Sequence, residues 1–173
     1  MATDRLALRP WRTEDLDPLH ALWTAPEVRR FLWDGETISR EKAGEVLRGG
    51  IESFERDGFG FWGVLEAGSS ELIGFCGLRY IGETRDVEIL YGIHPRLWGR
   101  GYATEAARAI LQWAFRETTL PRVFAGADRP NAASFRVMEK LGMRFSETRL
   151  TAAGETPYWV IDRPESAGEL LQR

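Results

Sequence analysis

The chain is short of the residues that several kinds of site require. It has one cysteine, Cys76, among 173 residues, which excludes an internal disulfide framework and a cysteine-rich zinc site. Its aspartates and glutamates show no spacing typical of a metal site, so no metal is expected. There is no run of 18 apolar residues, and the opening Met1-Ala2-Thr3-Asp4-Arg5 lacks the apolar core of a signal peptide. A cytoplasmic protein with no membrane partner is the expectation. Nor is there a basic excess: 23 Lys and Arg face 26 Asp and Glu, a net charge of −3, which argues against nucleic acid as a partner. Low-complexity segments and internal repeats are missing too. What remains is a mixed globular composition, 43% hydrophobic and 28% charged, with 18 glycines and seven tryptophans. The length suits one domain spanning residues 1–173, long enough to bury roughly 70% of its unfolded surface.

Periodicity divides the chain. Leu6 and Leu8 alternate with Arg5, Ala7 and Arg9 as a first strand ended by Pro10. Thr13 can cap a helix whose apolar face is Leu16, Leu19, Leu22 and Trp23. A loop with Pro26 and Gly35 follows, apolar at Phe31-Leu32-Trp33. Ser39 can then cap a second helix, softened in its middle by Gly49 and Gly50. From Phe59 the period becomes two: Phe59–Ala67 and Leu72–Ile81 read as a hairpin about Gly68-Ser69-Ser70-Glu71, and Val87–Ile93 as a further strand. In that strand Val87, Ile89, Tyr91 and Ile93 share one face, and Glu88, Leu90 and Gly92 the other. An amphipathic helix, a strand at Arg122–Ala127, a helix at Asn131–Leu141 and a hairpin turning at Ala153-Gly154 complete the order. This mixture predicts an α/β fold with a mixed sheet.

The segment Ile93-His94-Pro95-Arg96-Leu97-Trp98-Gly99-Arg100-Gly101-Tyr102-Ala103-Thr104 joins a strand to a helix. Two glycines let backbone amides curl around an anion, and the helix start adds free N–H groups and its positive dipole end. Arg96 and Arg100 add charge. A diphosphate cradle and a plain tight turn both satisfy the pattern. A P-loop does not, because Gly-Lys-[Ser/Thr] is missing. The dinucleotide fingerprint is half met, with Thr104 where its third glycine belongs and Asp128 near the spacing of its ribose-binding acid. Against it, Glu88 interrupts a strand that should be buried on both faces.

Arg96-x-x-Gly99-x-Gly101-Tyr102-Ala103, followed by Asn131-Ala132-Ala133-Ser134 and Met138-Glu139-Lys140-Leu141-Gly142-Met143, resembles the signatures of the GNAT acetyltransferase superfamily. Arg5-Leu-x-Leu-Arg-Pro and Asp86-Val87-Glu88-Ile89-x-Tyr91 are similar to its RimJ/RimL-type branch. The resemblance implies the GNAT fold: a mostly antiparallel seven-stranded sheet with helices on both faces, splayed between strands four and five. It implies acetyl-CoA as the acyl donor, its diphosphate on Arg96, Trp98, Gly99, Arg100, Gly101, Tyr102, Ala103 and Thr104, and its pantetheine on Ile93 and Asn131. The Trp98 contribution is expected from its backbone rather than its ring. Asn131 can also serve as an ordinary N-cap.

Direct transfer to a primary amine in a ternary complex is the implied reaction, and it needs a base. Glu88 is the candidate, its alternative being a glutamate on a solvated strand face. The family's tyrosine acid falls at Met138, which leaves Ser134 as the branch's substitute, or as a small packing residue. The acceptor, a protein N-terminus or a small-molecule amine, would be walled by Phe31, Trp33, Tyr158 and Trp159. A monomer or homodimer is expected. A non-catalytic acyl-CoA-binding module and a nicotinamide-nucleotide protein are the competing functions.

Overall fold

A computed structural model describes residues 1–151 and 154–165. The chain runs β1 (Leu6–Pro10), α1 (Leu16–Thr24), α2 (Pro26–Leu32), α3 (Arg40–Asp57), β2 (Phe61–Glu66), β3 (Leu72–Tyr80) and β4 (Val87–Ile93). It continues with α4 (Tyr102–Glu117), β5 (Arg122–Gly126), α5 (Ala132–Lys140), β6 (Arg144–Thr151) and β7 (Gly154–Asp162). The turn expected at Ala153-Gly154 falls partly outside the described residues, since Ala153 is not among them; Gly154 has φ 98° and opens β7.

Two local expectations are corrected. The apolar stretch after α1 is a helix, not a loop. Pro26 occupies its first turn, where a missing N–H costs nothing, and Val28 and Leu32 turn into the core. Thr13 does not cap α1 but opens a single 3-10 turn at Thr13–Asp15. The buried Asp15 carboxylate takes the Arg12 N–H (2.8 Å) and both terminal nitrogens of Arg9 (2.6 and 2.7 Å). A carboxylate with a bidentate guanidinium outcompetes a lone hydroxyl there. Ser39 caps α3 as expected, accepting the Lys42 N–H at 3.1 Å, and Gly58 ends it at φ 76°.

The seven strands form one sheet in the order β1-β2-β3-β4-β5-β7-β6. Every neighbouring pair is antiparallel except β4 and β5, which run parallel and meet at one residue pair, Glu88 with Phe124. Beyond that pair the two strands part. One core lies between the sheet and α4, where Ala106, Ala107, Ile110 and Ala114 carry no exposed surface and let the helix sit close. The second lies on the opposite face beneath α1, α2 and α3, built on Trp11, Trp23, Leu47 and Phe75. Helices thus cover both faces, and the parting of β4 and β5 is the one break between them. Among the described residues, no helix is long and apolar enough to cross a membrane.

Candidate active site

The parting strands open beside the glycine turn. After Ile93 the chain makes one 3-10 turn at Pro95–Leu97, with His94 Nδ1 accepting the Arg96 N–H at 3.3 Å. It then enters α4 through Gly99 and Gly101, at φ 78° and 80°, a left-handed conformation that glycine adopts without a Cβ penalty. The main-chain N–H groups from Gly99 to Thr104 find no acceptor among the described residues. Glu105 is the first to do so, bonding the Gly101 carbonyl at 3.0 Å. A row of unmatched donors at the positive end of a 16-residue helix is a site for an anion.

A cavity of about 450 Å³ runs from this turn into the parting. Its walls bring together Ile93, Trp98, Gly99, Gly101, Tyr102, Ala103 and Thr104 with Asn131 and Ser134 of α5 and Phe31 of α2. On the side away from β3, the β4 edge from Leu90 to Ile93 pairs with no strand among the described residues. Unpaired strand edge, free amides and an elongated, largely apolar cavity fit a diphosphate joined to a pantetheine arm.

Asn131 Oδ1 accepts the Ser134 N–H at 3.2 Å and caps α5. That bond engages the amide oxygen only, and Asn131 lines the cavity. The Trp98 indole N–H donates to the Ile93 carbonyl at 2.6 Å, tying the ring to the end of β4.

Two expected cradle residues lie off the cavity. Arg96 pairs with Glu71, and Arg100 offers its carbonyl to the Arg5 guanidinium at 2.9 Å. Glu88 lies off it as well, 5% exposed at the narrow end of the parting. It is no solvated face residue: Arg79 Nε and Nη2 both reach its Oε1 at 2.9 Å. Beside it, burial pushes the Tyr158 phenol up to about 12, and the charge and hydrogen bond of Glu88 push in the same direction. Arg149 covers the rings of Phe124 and Tyr158 at 4.7 and 4.9 Å and pairs with Asp86 and Glu147.

The aromatic walls expected for the acceptor are drawn inward. Because Phe31-Leu32-Trp33 ends a helix, Trp33 turns back against Trp23 at 5.9 Å, while Phe31 and Leu32 line the cavity. Trp159 rests on Phe135 at 6.2 Å.

The cavity also contains side chains that the sequence did not single out. Phase-shifted periodicity at Val28, Phe31 and Leu32 could have revealed the α2 wall. Arg136 and Lys140 follow Ala133 at helical spacing on α5. Tyr91 is the most informative of them. Its signals were a place in the Asp86-Val87-Glu88-Ile89-x-Tyr91 signature and a phenol on an otherwise aliphatic strand face, neither of which gave it a role. Its hydroxyl crosses from β4 to donate to the Ser134 carbonyl of α5 at 3.2 Å. Burial raises this phenol above its ordinary range, with a hydrogen bond to Ser134 opposing in part.

Residues 5–144 match the acetyltransferase (GNAT) domain family. The protein YkkB of Bacillus subtilis (strain 168) is 33% identical over 151 residues, covering 86% of this chain and 87% of its own. An N-acetyltransferase, p20 of Bacillus licheniformis, is 27% identical over 144 residues, 82% of this chain and 80% of its own. The fold is shared with a Salmonella typhimurium acetyltransferase that modifies the N-terminal serine of the 50S ribosomal protein L7/L12. That structure superposes with a TM-score of 0.78 at 16% identity, over 92% of this chain and 96% of the other. Unmatched amides, parted strands and a family match over most of its length lead to one conclusion: the chain belongs to the GNAT acetyltransferase family and is an acetyl-CoA-dependent N-acetyltransferase.

Proposed function

We propose that this enzyme transfers the acetyl group of acetyl-CoA directly to a primary amine within a ternary complex, and that it works in the manner of the RimJ/RimL-type branch. The open edge of β4 between the glycine turn and the Glu88–Phe124 pair is the observation that supports this. Acetyl-CoA supplies an activated thioester. The free amides of Gly99–Thr104 would hold its diphosphate, and the unpaired β4 edge with the Asn131 amide its pantetheine arm. A free β4 amide beside the thioester can stabilise the oxyanion that forms on attack.

An amine resembling lysine is mostly protonated at neutral pH, so a base must take a proton before or during attack. Glu88 takes this role. Its bonds to Arg79 fix the carboxylate at the seam, and because it lies off the cavity it takes the proton through an intervening water. Ser134 contributes a hydroxyl to the wall where the thioester ends. Phe31 lines the acceptor side directly, Tyr158 flanks the base, and Trp33 and Trp159 support these walls from behind.

Among acceptors, the likeness to an acetyltransferase of a ribosomal protein N-terminus supports a peptide α-amine, and the apolar wall at Phe31 and Leu32 suits a small amine with apolar bulk. CoA release measured over N-terminal-serine peptides, amino acids and polyamines separates them. Acetyl-CoA should raise the melting temperature, by the equivalent of about 2.7 kcal/mol at a hundredfold excess over its dissociation constant. No rise, or a larger rise with NAD, would overturn the donor. A rise with no CoA release on any amine would instead make the protein an acyl-CoA-binding module.

A further inference from the structure

We infer that the phenol of Tyr91 is the hydrogen-bond donor that receives the departing CoA sulfur. This rests on the acetyl transfer proposed above. When the C–S bond breaks, its electron pair goes to sulfur, and a thiolate forming in an apolar slot requires a donor.

Two other ring donors on the cavity wall are committed. The Tyr102 hydroxyl donates to Glu66 at 2.8 Å, and the Trp98 indole to the Ile93 carbonyl. Met138, where the family's tyrosine would stand, is 1% exposed and not among the residues lining the cavity, and its thioether can donate nothing. Tyr91 differs in position and in freedom. Its ring starts on the β4 wall and its oxygen reaches the α5 wall, so it crosses the slot in which the thioester would lie. Its present bond, 3.2 Å to a neutral carbonyl, is long for an O–H donor and readily exchanged for a thiolate. The phenol stays protonated throughout, because burial holds it above a thiol's range.

It therefore gives a hydrogen bond and keeps its proton. The amine nitrogen loses a proton to Glu88, carbonyl carbon exchanges sulfur for nitrogen, and the thiolate is protonated from solvent as CoA leaves. The ionisable groups facing this position are Cys76 across the β3–β4 register, Arg136 and Lys140 on α5, and Glu27 on α2.

The test compares wild type with Tyr91→Phe, reading the titration of bound CoA by thiolate ultraviolet absorbance. The thiol should titrate about one unit higher in the variant, and kcat should fall roughly 10- to 100-fold. Acetyl-CoA, which has no thiol, should raise the melting temperature of both proteins equally. Ser134→Ala keeps the carbonyl that holds Tyr91 and removes the other hydroxyl on the wall, so its thiol should shift by less than in Tyr91→Phe. An unmoved titration in Tyr91→Phe, or a shift in Ser134→Ala as large, overturns the assignment. Failure of acetyl-CoA to stabilise wild type would instead remove the acetyl-transfer proposal beneath it.

Discussion

Alanine at Gly50 should weaken the fold, whereas alanine at its neighbour Gly49 should strengthen it. Both lie inside α3, where replacing glycine gains about 0.5–1 kcal/mol through helix propensity and a less flexible unfolded chain. At Gly49, which faces solvent, a new Cβ meets nothing within 4 Å, and the whole gain is kept. At Gly50 the Cβ would stand 2.6 Å from Cε3 and Cζ3 of Trp11. Carbon atoms prefer about 3.5–4.0 Å, so the indole would have to retreat by about 1 Å. It has nowhere to go. Trp11 is stacked on Phe61 at 4.6 Å, meets Trp23 edge-on at 5.6 Å, and is 4% exposed. Overpacking of this kind costs about 1–3 kcal/mol, which exceeds the propensity gain. The net expectation is a loss of about 1 kcal/mol for Gly50→Ala. In a protein of this size each kcal/mol moves the melting temperature by about 2–4 °C. Urea and thermal denaturation followed by circular dichroism would measure both variants. Equal stabilisation at the two positions would refute the packing argument.

Asn131→Ala should lose both about 1 kcal/mol of stability, through the missing cap, and acetyl-CoA affinity. Asn131→Asp should recover the first and not the second; a wild-type dissociation constant for the aspartate variant would show that the amide nitrogen binds nothing. A phenol absorbance titration should find a tyrosine that ionises only near pH 12, and Glu88→Gln should bring it down. The stability contributed by the neutral Tyr158 is complete below the ordinary phenol range near 10 and lost as pH rises through about 12. Glu105 has the opposite sign. Burial alone would raise its carboxyl, but bonds from Thr3 and Arg5 outweigh that and hold it low. Its contribution is therefore present above the carboxylate range and lost on acidification, and Glu105→Gln should flatten the acid limb of the stability profile.

The cradle was legible because it depends on backbone: two glycines between a strand and a helix imply the left-handed turn and the free amides that Gly99 and Gly101 produce. Strand β4 was legible to the residue because alternation fixes which side chains share a face. Alternation could not say that Glu88 would be tied to Arg79 or that Tyr91 would reach Ser134, since those contacts join segments 9 and 43 residues apart. Helix α2 was missed for a local reason: Pro26 signals a break, yet at a first helical turn it signals a start. That error moved Trp33 from the core to the site.

The sheet is joined along its middle by a single parallel bridge, and this makes it two half-sheets, one of four strands and one of three, stitched at Glu88 and Phe124. An extended ligand arm lying along β4 would add the rungs that the ladder lacks. Acetyl-CoA would then act as a temporary eighth strand, and amide exchange should slow in β4, whose edge it covers. The base proposed for catalysis sits at the stitch, so the stiffness of that seam and the position of the carboxylate are one mechanical quantity.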